Sequence, residues 1–144
     1  MTRIRDLMTT DIEIVSPGHT AREAASFMLN ADTGALPVCE GDRLVGMITD
    51  RDIVIRGVAA GLGPETAVAE LMSDGIVWAR ADDEVGAIAQ RMSDAQVRRL
   101  PVVDSSDRLV GMISLGDLSR ESEQAAAVQA LEGISASNVE TAQG

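Results

Sequence analysis

One eleven-residue stretch occurs twice in this chain. Asp42–Asp52 reads DRLVGMITDRD, and Asp107–Asp117 reads DRLVGMISLGD. Seven consecutive residues are identical, and each copy then carries a hydroxyl residue followed three positions later by a carboxylate. A stretch of this length that is repeated in register indicates internal duplication.

The duplication extends well beyond these two stretches. Leu7-Met8 aligns with Leu71-Met72, and Leu36-Pro37-Val38 aligns with Leu100-Pro101-Val102, both at an offset of 64 positions. One extra residue before Asp107 raises the offset to 65, at a place where a hairpin turn would tolerate it. The alignment predicts four segments: repeat 1 over 1–60, a linker over 61–65, repeat 2 over 66–132 and a flexible C-terminal tail over 133–144.

Each repeat carries the same order of secondary-structure signals. Short apolar runs at 12–15 and 76–79 favour strands. The capping box Thr20–Glu23 opens a helix in the first copy, and Asp83 is predicted to cap its counterpart. The apolar face of the first helix is predicted to comprise Ala21, Ala24, Ala25, Met28 and Leu29.

Two β-rich runs around a short turn then predict a hairpin in each copy, followed by a second helix. In the second copy that helix is predicted to run from Leu115 to about Glu132. The fold class is therefore α/β, with two pseudo-symmetric β-α-β-β-α repeats. We expect the repeats to pack through their sheets, because about 60 residues alone give only a thin core.

The composition argues against several classes of partner. Apolar residues make up 45% of the 144, with one Phe, one Trp and no Tyr, so the core must be largely aliphatic. The net charge of −11 repels phosphate backbones and anionic lipid, so neither nucleic acid nor membrane is an expected partner. No run approaches the roughly 18 apolar residues of a membrane-spanning helix. With no apolar signal-peptide core either, a cytoplasmic location is expected.

Single residues give little sign of catalysis. Cys39 and His19 are the only residues of their types, so no pair has metal-ligand spacing and no metal site is expected. No base is placed to activate a nucleophile, and the chain is not expected to be an enzyme. Cys39 is interpreted as a buried strand residue, and Trp78 as a core residue in preference to a stacking surface for a base.

The repeated hydroxyl–carboxylate pairs have two interpretations. Thr49-x-x-Asp52 and Ser114-x-x-Asp117 stand where a strand ends and a helix begins. That spacing is a capping box, in which each side chain accepts a hydrogen bond from the other residue's backbone N–H. On this interpretation the pairs are purely structural.

The other interpretation is a ligand site. Gly46 and Gly111 lie inside β runs, where glycine often marks the close approach of a ligand or of another backbone. Arg51, Arg98 and Arg99 stand near the motifs and are candidate phosphate ligands. A carboxylate that accepts from a vicinal diol, beside helix N–H groups and arginines, describes a ribose-phosphate site.

The doubled G-M-I-[TS]-x-x-D motif, its upstream L-P-V and the β-α-β-β-α order resemble a tandem pair of cystathionine-beta-synthase (CBS) domains, the Bateman module, over residues 3 to 120. The resemblance implies a non-catalytic regulatory module that binds AMP, ADP, ATP or S-adenosylmethionine in the inter-repeat cleft, without an obligatory cofactor. It also implies that Thr49, Asp52, Ser114 and Asp117 contact ribose and phosphate.

The two sites are expected to differ. The second copy has Leu115-Gly116 in place of Asp50-Arg51, and the first has Gly34-Ala35 in place of Arg98-Arg99. An adenine would mostly meet aliphatic side chains and the prolines of the L-P-V motifs, Pro37 and Pro101.

The alternative function is a structural dimer that has lost its ligand and acts as a protein-interaction scaffold. Both functions imply a homodimer and leave room for an unidentified protein target. The helix faces expected to pair the copies comprise Ile53, Val54, Val58, Leu118, Val128 and Leu131.

Overall fold

The structure is a computed structural model that describes residues 2–120. Its elements are, in chain order, a 3-10 turn Ile4–Asp6, α1 Ala21–Ala31, β1 Ala35–Glu40, β2 Arg43–Thr49, a π-helix Asp52–Val58, α2 Val68–Leu71, β3 Ala79–Arg80, α3 Val85–Ala95, β4 Arg99–Val103, β5 Leu109–Ser114 and α4 Leu115–Ser119. The predicted α/β class is confirmed.

The described residues form two compact units. The first unit comprises Glu13–Ile76 and Asp107–Leu109, and the second comprises 2–12, 77–106 and 110–120. Each contains a helix followed by a hairpin, the order predicted for one repeat. The sequence boundaries of the repeats and their packing through the sheets stay predictions.

The hairpin of the first unit is antiparallel, with Ala35 opposite Thr49 at one end and Glu40 opposite Arg43 at the other. Gly41 makes the turn at φ 63°, which glycine adopts without the steric cost of a Cβ. The strand predicted over 12–15 is wrong in extent. Its only sheet pairing is a single parallel bridge between Val15 and Val38.

The capping box of α1 is confirmed. The Glu23 backbone N–H donates to Thr20 Oγ1 (3.1 Å), and the Thr20 backbone N–H donates to Glu23 Oε1 (2.9 Å). The second bond lowers the pKa of the Glu23 carboxyl, because it stabilises the charged form. The predicted apolar face is too wide: Ala21, Ala24 and Met28 are buried, whereas Ala25 and Leu29 are exposed. The buried stripe therefore follows the i, i+3, i+7 spacing of a narrow helix face.

The sheet of the second unit has the order β3-β4-β5, with Ala79 opposite Val102 in a parallel pair. The strand predicted over 76–79 is displaced, since β3 is only Ala79–Arg80. The predicted cap Asp83 is also wrong. Glu84 is the residue before α3, and Asp83 instead accepts a hydrogen bond from the Arg80 backbone N–H (2.9 Å). The predicted continuation of α4 towards Glu132 lies outside the described residues.

Each unit also contains a short segment from the other repeat. Residues 2–12, at the start of repeat 1, belong to the second unit, and α2, at the start of repeat 2, belongs to the first. Val68 and Leu71, both of α2, are fully buried in the core of the first unit, and Ile4 is fully buried in the core of the second. Two backbone hydrogen bonds of 2.9 Å join Met47 to Ser73, and two of 2.9 Å join Met112 to Thr9. The aligned segments Leu7-Met8 and Leu71-Met72 therefore precede equivalent pairing residues.

Candidate functional site

The end of β2 meets the start of β1 at an edge of the first unit, which we call the first-repeat edge (Gly34, Thr49, Asp50 and Asp52). The Asp52 backbone N–H donates to Thr49 Oγ1 (3.0 Å), and the Thr49 backbone N–H donates to Asp52 Oδ2 (2.9 Å). Within residues 2–120, Asp52 Oδ1 makes no hydrogen bond or ion pair. The capping box is confirmed, and it uses only one of the two carboxylate oxygens.

The equivalent second-repeat edge comprises Arg98, Ser114, Leu115 and Asp117. The Asp117 backbone N–H donates to Ser114 Oγ (3.0 Å), and the Ser114 backbone N–H donates to Asp117 Oδ2 (2.9 Å). Asp117 is only 5% exposed, and its Oδ1 accepts from Arg120 Nη2 at 2.7 Å. Both oxygens of this carboxylate are therefore engaged, in contrast to those of Asp52.

The backbone places different residues beside the two motifs. The Leu115 N–H donates to the Arg98 carbonyl (2.8 Å), so Arg98 and Arg99 do lie next to the second motif. At the same place in the first unit, the Asp50 N–H donates to the Gly34 carbonyl (2.9 Å). A Cβ at position 34 would stand 2.8 Å from an Asp50 carboxylate oxygen, so glycine gives this side chain its room.

The other predicted site residues are placed as follows. Arg51 is exposed and immediately precedes the π-helix, with its backbone N–H donating to Asp50 Oδ1 (2.8 Å). Pro37 and Pro101 are buried in β1 and β4, and the Pro37 carbonyl accepts from the Val15 N–H (3.1 Å). Burial leaves these two rings little surface to offer a ligand.

The glycines inside the hairpin strands are explained by backbone contact. A Cβ on Gly46 would stand 2.7 Å from the Ser73 carbonyl oxygen, and one on Gly111 would stand 2.8 Å from that of Thr9. Real Cβ atoms do not approach so closely. Of the two readings that sequence allowed, the close approach is therefore that of another backbone, and these glycines do not argue for a ligand.

Trp78 is not the core residue that was expected. It is 42% exposed, and its carbonyl accepts from Arg91 Nη1 at 2.6 Å. Ile14, its counterpart at an offset of 64, is 40% exposed. The apolar run 76–79 predicted that Trp78 is a buried strand residue. The sequence contains no signal that distinguishes a residue within β3 from the residue immediately before it.

His19 and Cys39 lie apart from both motif edges. His19 Nδ1 accepts from the Ser16 backbone N–H (2.8 Å), and its ring meets Phe27 edge-on at 5.6 Å. Cys39 is buried as predicted, and burial raises its pKa to about 11.

Across residues 2–120, no group of three His, Cys, Asp or Glu side chains could hold a metal ion. Within the same range, no helix combines the length and the apolar character needed to cross a membrane.

Comparison with known proteins identifies relatives of this chain. Hypoxic response protein 1 of Mycobacterium tuberculosis is 44% identical over 136 residues, covering 93% of this chain and 94% of its own. A crystal structure of that protein, with two coordinated zinc ions, superposes with a TM-score of 0.76 at 43% identity, covering 83% of this chain and 98% of its own.

Two further structures contain adenosyl compounds. The CBS-domain pair of protein MJ0100, in complex with 5'-methylthioadenosine and S-adenosylmethionine, has a TM-score of 0.69 at 27% identity, covering 83% of this chain and 94% of its own. The cytosolic domain of the Mg²⁺ channel MgtE, in complex with ATP, has a TM-score of 0.69 at 32% identity, covering 79% and 46%.

The family model for the CBS domain matches twice, at residues 4–57 and 68–123. These two matches cover most of the chain and coincide with the two copies of the duplicated motif. The chain belongs to the CBS-domain family, as a tandem pair of CBS repeats.

Proposed function

We propose that this chain is a non-catalytic regulatory module that binds an adenosyl ligand at the motif edges of its repeats. AMP, ADP, ATP and S-adenosylmethionine are the candidate ligands. Binding would stabilise one conformation of the module, which a second subunit or a target protein then recognises.

The observation that carries the proposal is the state of the motif carboxylates. Asp52 is fixed by its capping box, yet one carboxylate oxygen is uncommitted within residues 2–120. A fixed acceptor at a partly exposed edge suits a ribose hydroxyl, because little conformational freedom is lost on binding. At Asp117 the second oxygen is held by Arg120, whose side chain is 66% exposed. A ligand hydroxyl can take the place of so exposed a guanidinium.

The relatives give this proposal its ligand class. MJ0100 holds methylthioadenosine and S-adenosylmethionine, and MgtE holds ATP. The common element of these ligands is the adenosyl group, and the groups attached at its 5' position range from a cationic sulfonium through a neutral thioether to a strongly anionic triphosphate. We therefore propose that adenosine is the part recognised by the shared motif.

The scaffold alternative also has an observation in its favour. Both capping boxes are complete, so Thr49, Asp52, Ser114 and Asp117 each have a structural role without any ligand. A chain that had lost its ligand would still need these residues to start its helices.

We also propose that the chain forms a homodimer. The first unit exposes Leu29 by 80%, Val54 by 53% and Val58 by 68%. These side chains belong to α1 and the π-helix. Leu29 and Val54 line one surface cavity and Val58 lines a second, and both cavities include Ala25 and Ile53. An exposed apolar surface on two adjacent helices favours association. Leu118, predicted to share in such a surface, is fully buried, so that part of the prediction is wrong. Val128 and Leu131, predicted with it, lie outside the described residues.

The test of the proposed function is a ligand screen followed by titration of motif variants. AMP, ADP, ATP and S-adenosylmethionine are added singly, and at least one is expected to raise the unfolding temperature.

Asp52→Asn keeps the size and much of the capping ability of aspartate. It should therefore cost less than about 1 kcal/mol of folding stability. A charge-assisted hydrogen bond contributes about 1.5–3 kcal/mol. The loss of binding should accordingly be about 10- to 150-fold by calorimetry. Asp117→Asn should weaken binding similarly.

The matched control is Asp74→Asn, which removes one exposed carboxylate away from both motifs. It should leave affinity unchanged. Wild-type binding with unimpaired Asp52→Asn and Asp117→Asn variants would reduce the motif to helix capping. The absence of any binding by the wild type would favour the scaffold.

A further inference from the structure

Trp78 is an exposed aromatic side chain in a chain that has only one other aromatic residue of the Phe, Tyr and Trp class. The residue is 42% exposed, although the next residue, Ala79, is completely buried in β3. Nothing in the core of the second unit therefore explains why position 78 carries so large an apolar ring.

The sheet topology brings Trp78 to the second-repeat edge. β3 and β4 run parallel with Ala79 opposite Val102, so Trp78 and Pro101 stand at the same level, one residue earlier. Arg99 is the first residue of β4, two positions before Pro101, and Arg98 immediately precedes the strand. β5 is the other neighbour of β4, and its end is joined to the start of β4 by the 2.8 Å bond from Leu115 N–H to the Arg98 carbonyl.

The backbone beneath the indole is held in place. Arg91 Nη1 donates to the Trp78 carbonyl at 2.6 Å and pairs with Asp83 Oδ2 at 3.4 Å. Arg91 thus ties the strand entry to α3, while the Trp78 side chain keeps a large exposed fraction. A fixed backbone beneath a partly exposed residue favours stacking, since less ordering remains to be done on binding.

The first-repeat edge lacks this chemistry. Ile14 occupies the position of Trp78, Gly34 that of Arg98, and Asp50 that of Leu115. An aliphatic side chain cannot stack on a base as an indole does, and the Asp50 carboxylate repels a phosphate. The two edges share the capped aspartate, but the first has no counterpart of Trp78 or Arg98, and its Arg51 stands directly beside the Asp50 carboxylate.

We propose that the second-repeat edge is the site for the phosphorylated ligand, with adenine stacked on the Trp78 indole and phosphate facing Arg98 and Arg99. This inference rests on the proposed function and names the ligand class at one of its two edges. The first-repeat edge, by contrast, disfavours a phosphate and would take a neutral or cationic adenosyl compound.

The test uses Trp78 itself, since the sole tryptophan of the chain reports on its own surroundings. The full-length protein is titrated with AMP, with adenosine and with inorganic phosphate. Emission is excited at the red edge of the indole absorption, where adenine does not absorb. AMP and adenosine should quench the emission saturably and phosphate alone should not, because stacking requires the base.

Variants then separate the base from the phosphate. Trp78→Ile reproduces the residue of the first repeat at an exposed position, and should weaken AMP binding by about 5- to 150-fold, which corresponds to about 1–3 kcal/mol for one stacked base. Arg98→Ala combined with Arg99→Ala should weaken AMP binding by at least about tenfold, while adenosine binding changes far less. Ile14→Ala is the matched control and should not change AMP affinity.

The outcomes distinguish this inference from the proposed function. If calorimetry detects AMP binding while Trp78 emission stays constant and Trp78→Ile binds normally, this inference is overturned and the proposed function stands. Binding of AMP lost in Ile14→Ala and retained in Trp78→Ile would reverse the assignment of the edges. If no adenosyl compound binds at all, both are overturned.

Discussion

At the scale of single residues, two equivalent hydroxyl–carboxylate motifs have different surroundings. Thr49–Asp52 and Ser114–Asp117 form the same capping box, with bonds of 2.9 and 3.0 Å in each. The spacing alone predicted this, because a capping box needs only a hydroxyl and a carboxylate three positions apart. The ion pair between Asp117 and Arg120 was not predicted, since the sequence gives no reason for that arginine to turn towards the cap.

Cys39 supports a prediction about alkaline stability. Its pKa rises from the ordinary 9.0 to about 11, first because it is buried and second because Asp42 is near. The neutral thiol therefore contributes stability that is complete below pH 9.0 and is lost as the pH rises to about 11. The chain has no lysine and no tyrosine, so few other side chains titrate in that window.

We expect the free energy of unfolding in urea to fall across this pH range for the wild type, and to fall much less for Cys39→Val. Alkylation of the native thiol should be slow throughout the neutral range, because the thiolate is the reactive form. If both proteins lost the same stability, the thiol would be irrelevant to alkaline unfolding and its burial less complete than the structure shows.

At the scale of elements, the two hairpins could be predicted from the sequence, but the segments that pair with their second strands could not. The turn at Gly41 and the flanking β-rich runs are local signals, and both hairpins form where they were predicted. The pairing of Met47 with Ser73, and of Met112 with Thr9, joins residues far apart in sequence. Periodicity predicts an element but does not choose its partner, so Gly46 and Gly111 could be read only as marks of an unidentified close approach.

This pairing leads to a prediction for the two strand glycines. Gly46→Ala and Gly111→Ala should each lower the free energy of unfolding by about 1–3 kcal/mol, because the new methyl group overlaps a paired backbone carbonyl. Gly86→Ala, in the first turn of α3, is the control, because an added Cβ there would meet no atom of another segment within 4 Å. It should raise stability by less than about 1 kcal/mol, since alanine favours a helix over glycine. Chemical denaturation of the three variants provides the comparison, and losses at Gly46 and Gly111 no larger than the change at Gly86 would contradict the close approach.

At the scale of the whole molecule, apolar surface remains on the first unit after its core is complete. Val54, Ile55 and Val58 are exposed by 53%, 49% and 68% on the π-helix, and Leu29 is exposed on α1. The sequence predicted the involvement of Val54 and Val58, because their spacing places them on one face. It did not predict an exposed Leu29, which was placed on the apolar face of α1 together with Ala21, Ala24 and Met28.

The proposed homodimer depends on that surface. Light scattering should give twice the chain mass for the wild type at micromolar concentration, and the mass of a single chain for the double variant Val54→Asp, Val58→Asp. A carboxylate introduced into a buried interface is destabilising because it loses its hydration without gaining a partner. Val77→Asp, at an exposed residue of the second unit, is the control and should remain dimeric. A monomeric wild type would exclude the homodimer, and a dimeric double variant would place its interface elsewhere.

Each unit contains a segment from the other repeat, and this arrangement has a consequence for how the chain can fold during its synthesis. Ile4 is synthesised before any residue of the first unit, yet the core that buries it includes Ile113 and Leu118 near the end of the described residues. The first unit, by contrast, has its core residues by Leu71 and its pairing partner by Ser73. The first unit can therefore form before β5, the strand that pairs with residues 2–12, has been synthesised. Residues 2–12 carry charge at Arg3, Arg5 and Asp6, which suits a segment that must stay in water until the second unit is made.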